Sequence, residues 1–361
     1  MKIKIIQRIV PSYRRVFFDK LYNFYGDNFK VYTSFNIGTG PLMAKSKSKF
    51  PWLAEIGKVY EVPGICWQTG AFKLKIEKND VIIIEGSVRI ISNFIIILKA
   101  YIVGAKLIWW GHYLSASSKP LLAGIRHKFM KKIPYILFYT DHEINRFIKD
   151  HERTLNLFSL NNGIDIEKIK KNRKAYSTSD RDIDILFLGR ISTKANASIL
   201  LQALNEEKCL NYTATFLGAQ DEHECSKITD EINMLSLTKR VTVVKGSSLE
   251  EIVSKYANRA KIFCYPGQVG LSLLHAMGYG LPCIVHNDES KQMPEFCAFE
   301  ENKTGISFEQ NNPGSLALAI NTALLSPDLG KMSSSCISVV ESKYTLDLMK
   351  ENFINMINSI K

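Results

Sequence analysis

The chain has no apolar run long enough to cross a bilayer. Its most apolar stretch, DVIIIEGSVRIISNFIIILKAYIVGAKLIWWGH, is interrupted by Glu85, Arg89, Lys99 and Lys106, so it falls short of the roughly 20 apolar residues that a spanning helix needs. The N-terminus, MKIKIIQRIVPSYRR, lacks both the apolar core of roughly 7–15 residues and the small-residue cleavage site of a signal peptide. No leader is expected, and the protein is expected to be soluble or at most attached to a membrane surface. Seven cysteines are present, but none forms a C-x-x-C pair or another ligand spacing. They read as buried thiols of a reducing compartment. No G-x-G-x-x-G follows the first strand and there is no Walker loop, which argues against nicotinamide and P-loop chemistry. Acids are scarce in the first half: from Met1 to Asp165 there are 12 Asp and Glu against 25 Lys and Arg, net +13, whereas the remainder is at −1. A one-sided field of this kind suits nucleic acid, anionic lipid or a phosphorylated substrate.

What is present is an ordinary globular composition, 46% hydrophobic and 23% charged over 361 residues. That length predicts two domains of roughly 150–200 residues, with a cleft between them as the first place to look for a ligand. In the first half the apolar runs KIKIIQRI, FKVYTS, KVYEV, DVIIIEG, AKLIWWG, YILFYT and LNLFSL predict buried strands of a parallel sheet alternating with helices. The second half continues with IDILFLG, YTATFLG, RVTVVKG, KIFCYPG and PCIVHN, each strand ending in a turn or glycine. The stretch IEKIKKNRKAYSTSDR is polar and reads as a linker. The expected division is residues 1–165, a linker over 166–181, a second domain over 182–345, and a C-terminal helix over 346–361 that could pack back on the first domain.

Two stretches of the second half could carry chemistry. In YPGQVGLSLLHAMGYGLPCIV a strand runs through a Pro-Gly loop into a helix opening near Gly270. The first amides of that helix, at Gly270, Leu271 and Ser272, could meet a phosphate at the positive end of the dipole; the alternative is a packing helix whose glycines permit close approach. In ILFLGRISTKANASILLQAL, Arg190 follows the strand-ending Gly189 and Lys194 lies four residues on. Two cations there could grip two phosphates, or could form a solvated loop pair.

The order FLGR-x-x-x-K, a strand ending in FLG, VVKG, YPG-x-VGLS-x-x-HAM-x-YGLP and MPEF resembles the retaining glycosyltransferases of family 4, which have the GT-B fold. The resemblance is strong from Asp184 to about Leu325 and weaker before it. It implies an α/β architecture of two Rossmann-like, doubly wound domains facing an interdomain cleft, with the acceptor mainly on the first and a nucleotide-diphosphate sugar donor mainly on the second. It implies catalysis with no cofactor and no metal, because positive groups replace a divalent ion at the leaving diphosphate. Carried over, Gly189, Arg190, Lys194 and the amides of Gly270, Leu271 and Ser272 hold the donor. Family members often have two glutamates eight positions apart around this loop and helix; here those positions are Gly267 and His275, and His275 is either a ribose ligand or a satisfied core histidine. Glu295 of MPEF is a candidate for a sugar or nucleotide contact, or an ordinary helix cap.

In the first half, the family's histidine at the end of the matching strand falls on His112, which implies a place at the reaction centre. Glu85 ends the neighbouring strand, where a carboxylate could accept a hydrogen bond from an acceptor hydroxyl. Tyr13, Arg14 and Arg15, after the first strand, suggest contact with an acceptor phosphate, or simply surface arginines. KPLLAGIRHKFMKKIPY alternates cations with apolar residues at helical spacing, as in a helix lying on an anionic bilayer or in an ordinary domain helix. The metal-dependent sugar transferases of the other large fold carry D-x-D after a strand, whereas Asp182 and Asp184 precede theirs.

The function the resemblance implies is transfer of a sugar, with its anomeric configuration retained, from a nucleotide-diphosphate donor to a glycan or polyprenyl-diphosphate-linked acceptor in surface polysaccharide synthesis. The expected location is cytoplasmic, free or peripheral on the inner face of the cytoplasmic membrane, with an anionic membrane surface as a partner. Two rivals remain: a sugar-nucleotide epimerase or hydrolase of the same fold, and a non-enzymatic basic scaffold or nucleic-acid-binding protein. No nucleic-acid-binding motif appears, so no nucleic acid partner is expected.

Overall fold

The computed structural model describes residues 1–35, 50–113, 120–151, 156–219, 222–247 and 249–360. They divide into two compact units, Met1–Gly163 with Leu346–Lys361, and Ile164–Thr345.

In the first unit the strands are β1 (Ile3–Ile6), β2 (Phe29–Thr33), β3 (Leu53–Glu55), β4 (Val59–Val62), β5 (Ile65–Gln68), β6 (Val81–Glu85), β7 (Lys106–Trp110), β8 (Tyr135–Phe138) and β9 (Asn156–Ser159). Seven of them form a parallel sheet in the order β3-β2-β1-β6-β7-β8-β9. Helices α1 (Arg15–Tyr25), α2 (Ser92–Val103), α3 (Pro120–Met130) and α4 (Asp141–Asp150) connect them. Alternate strand residues serve the two faces. Ile3, Ile5, Val81, Ile83, Ile108 and Trp110 pack with Phe17, Phe18 and Leu21 of α1. Ile6, Ile82, Ile84, Leu107, Trp109 and Ile136 pack with Ile96 and Ala100 of α2. A sheet covered on both faces needs apolar residues at every strand position, which is why the runs are continuous rather than alternating.

KVYEV departs from expectation. It is β4, which pairs antiparallel with β5 in a hairpin separate from the parallel sheet. Within it only Val59 is buried, and the turn is made by Pro63 and Gly64, the latter at φ +90°, a backbone region open mainly to glycine.

The second unit contains α5 (Ile166–Asn172), β10 (Ile183–Leu188), α6 (Ala197–Leu204), β11 (Ala214–Ala219), α7 (Glu222–Met234), β12 (Val241–Lys245), α8 (Glu250–Ala257), β13 (Ala260–Tyr265), α9 (Leu271–Gly278), β14 (Cys283–His286), β15 (Gly305–Phe308), α10 (Pro313–Leu325) and α11 (Leu329–Lys343). Its parallel sheet has the order β12-β11-β10-β13-β14-β15. The stretch read as a linker is built into this unit. Ile166 and Ile169 of α5 are buried, Arg173 donates to the Gly278 carbonyl at 2.8 Å, and the buried Arg181 donates to the Ala257 carbonyl at 2.9 Å while lying 4.2 Å over the Tyr176 ring. The unit therefore begins at Ile164, not at 182.

The last helix, α12 (Leu346–Ser359), belongs to the first unit. Leu346, Met349, Phe353, Met356 and Ile357 repeat at helical spacing and enter the α1 side of that core. Phe353 meets the Phe17 ring edge-on at 6.1 Å, and Lys20 pairs with Asp347 at 2.7 Å.

Candidate functional site

Ligands of open α/β sheets bind at the carboxyl ends of the strands, where the strand order reverses. In the second unit that point lies between β10 and β13. The ends of β10, β11 and β12 carry Gly189, Gly218 and Gly246 side by side. A Cβ on Gly218 would stand 1.6 Å from the Gly189 carbonyl oxygen, and one on Gly246 would stand 2.7 Å from the Gly218 Cα. The three strand ends thus form a floor without side chains.

On this edge the structure brings together the residues expected to hold a donor. Arg190 and Lys194 are both exposed, and neither forms an ion pair among the described residues. A Cβ on Gly189 would lie 3.7 Å from the Ser272 hydroxyl oxygen, so the FLGR strand end adjoins the start of α9. Burial pushes the Tyr265 phenol up to about 12 while the neighbouring Arg190 charge opposes the rise. Gly267 is pressed against the Lys194 loop: its Cβ would stand 2.0 Å from the Lys194 carbonyl, which accepts the Gln268 N–H at 3.0 Å. The other side of this loop is held by Gln292, which accepts the Val269 N–H at 2.8 Å and donates to the His286 carbonyl at 3.0 Å. The loop delivers the chain to Gly270 and to the first-turn amides of Leu271 and Ser272, which have no intrahelical acceptor. Glu295 is buried, with its Oε2 3.6 Å from where a Gly270 Cβ would be.

The departures at 267 and 275 have physical explanations. Gly267 cannot carry any side chain while the Lys194 loop keeps its position. His275 projects from α9 to Glu250 at the start of α8, with Nε2 2.9 Å from Oε1, and the same oxygen accepts the Tyr279 hydroxyl at 2.5 Å. Burial of the Glu250 carboxyl works against ionisation, but the hydrogen bond and charge of His275 and the Tyr279 hydroxyl more than offset it, and the group sits below the usual glutamate range. Sequence reasoning missed Glu250 because its partner lies 25 positions away on another helix.

The corresponding reversal in the first unit lies between β1 and β6. Glu85, half-buried at the end of β6, accepts the Arg8 N–H at 2.7 Å. Burial raises its carboxyl above the usual range despite the Arg8 amide and the charges of Arg8 and Arg14. The Arg8 guanidinium pairs with Glu61 at 2.7 Å, and together with Glu85, Cys66 and Arg89 these line a cavity of about 400 Å³. Arg14 is buried 4.5 Å over the Trp110 ring and 5.3 Å from Tyr139, with the exposed Tyr13 at 5.6 Å. His112 follows the Trp110–Gly111 strand end and contacts the Tyr139 ring at 4.3 Å. Its Nδ1 is 3.7 Å from Glu143 Oε1. Glu143 is buried, accepting the N–H groups of Tyr113 at 2.9 Å and Tyr139 at 3.0 Å. Its capping box with Thr140, T-x-x-E, is readable in the sequence. Arg15 is not part of this group: it lies on the surface, 4.6 Å over Phe50 and 3.6 Å from Asp19.

Residues 168–338 match the family described as glycosyl transferases, group 1. No curated protein sequence matches the chain. Among solved structures, the Anabaena protein Alr3699/HepE in complex with UDP superposes over 99% of this chain and 100% of its own, with a TM-score of 0.71 at 15% identity. A glycosyltransferase from Rickettsia africae ESF-5 covers 99% of this chain and 98% of its own, with a TM-score of 0.72 at 14% identity. Sucrose-phosphate synthase from Thermosynechococcus elongatus covers 100% and 99%, with a TM-score of 0.71 at 14% identity. The fold is that of the GT-B glycosyltransferases, two parallel-sheet α/β domains.

Proposed function

We propose that the protein is a retaining, metal-independent glycosyltransferase of the family 4 type. In this reading it moves a sugar from a nucleotide-diphosphate donor to a glycan or polyprenyl-diphosphate-linked acceptor in surface polysaccharide synthesis, on the cytoplasmic side. The observation that carries it is the single sheet edge, inside the segment similar to group 1 glycosyl transferases, that gathers Gly189, Arg190, Lys194 and the α9 amides of Gly270, Leu271 and Ser272. The glycine floor lets a diphosphate approach the backbone, the amides receive its oxygens, and the two cations compensate the charge that grows as the glycosidic bond to phosphate breaks. Glu250 supplies in space the carboxylate that position 275 lacks. His275 orients it toward a ribose hydroxyl, and Glu295 serves the sugar. On the acceptor side, Tyr13, Arg14 and Glu85 receive phosphate and hydroxyl groups, and His112, backed by Glu143, stands at the reaction centre. Burial raises the Glu85 carboxyl above the usual range, which makes it the stronger acceptor for a proton of the acceptor hydroxyl.

Arg190→Ala and Lys194→Ala should each cost about 3 kcal/mol of transition-state stabilisation, roughly a hundredfold in kcat. Near-normal turnover in both variants would overturn the diphosphate assignment. NMR of the product should show the donor's anomeric configuration kept, and chelator should leave the rate unchanged. Rapid donor consumption without acceptor would instead favour an epimerase or hydrolase.

A further inference from the structure

Helix α2 is apolar on its outer side as well as on its buried one. Its sheet side buries Ser92 and Asn93 together with Ile96 and Ala100. Its outer side carries Ile91 just ahead of the helix, then Phe94, Ile95, Leu98, Tyr101 and Ile102, with Leu98, Tyr101 and Ile102 exposed by 61, 51 and 74%. The spacing i, i+3, i+4, i+7 places these residues in one stripe, roughly 16 Å long at 1.5 Å per residue. Neighbouring elements extend it. Phe94 packs on Phe129 of α3 at 4.7 Å, the Tyr101 hydroxyl donates to the Lys132 carbonyl at 2.5 Å, and Lys99 donates to the carbonyl of Phe72, itself exposed, at 2.9 Å.

The stretch of sequence that carries this stripe has charge of one sign. Between Gly86 and Thr140 the sequence holds eight Lys and Arg and no Asp or Glu. Lys128 and Lys132 are exposed at the α3 end, and Lys73 is exposed beside Phe72. A second copy of the chain seated on the same face would set these lysines against their own counterparts, which like charges oppose. An apolar stripe with a cationic rim matches a surface that offers hydrocarbon beneath a layer of negative charge.

We infer that the outer face of α2, with Phe72 and the end of α3, docks on an anionic lipid bilayer, the helix lying in the plane of the interface. This centres the membrane contact on α2 rather than on the stretch 119–135, KPLLAGIRHKFMKKIPY. In α3 Ile125 is exposed, but Met130 and, after the helix, Ile133 are buried, and Lys119 and the side chains of Leu121 and Leu122 lie outside the described residues. No helix among the described residues is long and apolar enough to cross a membrane, so the contact is peripheral.

The test is co-sedimentation of the full chain with vesicles of phosphatidylcholine alone or with phosphatidylglycerol, with neither nucleotide nor acceptor present, so its result is independent of the transferase reading. The wild-type protein should pellet with the phosphatidylglycerol vesicles and be released by salt. Leu98→Glu/Ile102→Glu should lower the partition coefficient about tenfold or more, and Lys128→Glu/Lys132→Glu should lower it for the anionic vesicles. Because all four side chains are exposed, both variants should keep the wild-type melting temperature. Equal partitioning of variant and wild type, or no pelleting with anionic vesicles, would overturn the inference. So would a wild-type dimer that Leu98→Glu/Ile102→Glu converts to monomer, which would make the stripe an interface between copies.

Discussion

Adding one methyl group at Gly267 should disable the proposed donor site without replacing either cation. A Cβ there would stand 2.0 Å from the Lys194 carbonyl oxygen and 2.6 Å from the Ala195 carbonyl carbon, both backbone atoms. Side-chain carbons do not approach closer than 3.0 Å, so in Gly267→Ala the loops must separate by about 1 Å or more, the scale at which misplacement costs about a hundredfold in rate. That displacement breaks the 3.0 Å bond from Gln268 N–H to the Lys194 carbonyl, which contributes about 1 kcal/mol. Overpacking adds about 1–3 kcal/mol. Thermal denaturation should therefore show a loss of roughly 2–4 kcal/mol, and kcat/KM for the donor should fall about a hundredfold. Gly330→Ala is the control, because nothing lies within 4 Å of its Cβ position on α11; it should leave turnover unchanged and stability unchanged or raised by up to about 1 kcal/mol. Wild-type stability and turnover in Gly267→Ala would show that the two loops do not meet in this way, and the link between Lys194 and the α9 loop would be lost with it.

Glu250→Gln should weaken nucleotide binding by about 1.5–3 kcal/mol in calorimetry, the worth of a charge-assisted hydrogen bond. Adding His275→Ala should then cost little more, because the two act as a pair; fully additive losses would refute that coupling. His286 is fully buried with no hydrogen-bond partner for either ring nitrogen among the described residues, and burial lowers its proton affinity although Asp288 opposes this. The unfolded chain binds that proton near the ordinary value of about 6.5. The contribution is thus complete above that pH and lost as pH falls below it, by up to about 1.4 kcal/mol per unit. His286→Leu should flatten the dependence of the denaturant midpoint between about pH 7.5 and 5, and an unchanged slope would count against it. Phe353→Ala should destabilise the first unit by about 3–5 kcal/mol, as expected for a fully buried ring, although it lies near the end of the chain; a shift in the second unit's transition would contradict the placement of α12.

What could be read from the sequence follows the range of the interactions involved. The glycines closing FLG, FLG and VVKG were visible as strand punctuation. Their common cause, that each faces its neighbour's backbone across the sheet edge, requires the β12-β11-β10 order. The continuous apolar runs announced strands covered on both faces. KVYEV looks similar, but apolar content alone does not separate a hairpin strand with one buried valine from a central strand. The polar run 166–181 resembles a linker because two isoleucines three apart are too few to register as a helix face. The contacts of Arg173 and Arg181 to carbonyls more than 70 positions away leave no mark on composition.

The candidate site divides along the same line. Arg190 and Lys194 were legible because both sit within a few residues of one strand end, where local sequence predicts position. His275 was not, since its meaning depends on a carboxylate from another helix, and a histidine among apolar neighbours looks the same with or without that partner. Arg14 and Arg15 show the limit most sharply. Adjacent in sequence and identical in chemistry, they separate in the fold, one buried against Trp110 and the other exposed beside Asp19. The turn Ser12–Arg14 followed at once by α1 rotates successive side chains by about 100°, so a single position decides which arginine joins the aromatic cluster at the strand ends. If that placement carries function, Arg14→Ala should impair acceptor turnover while Arg15→Ala leaves it intact, and equal effects of the two would remove Arg14 from the acceptor site.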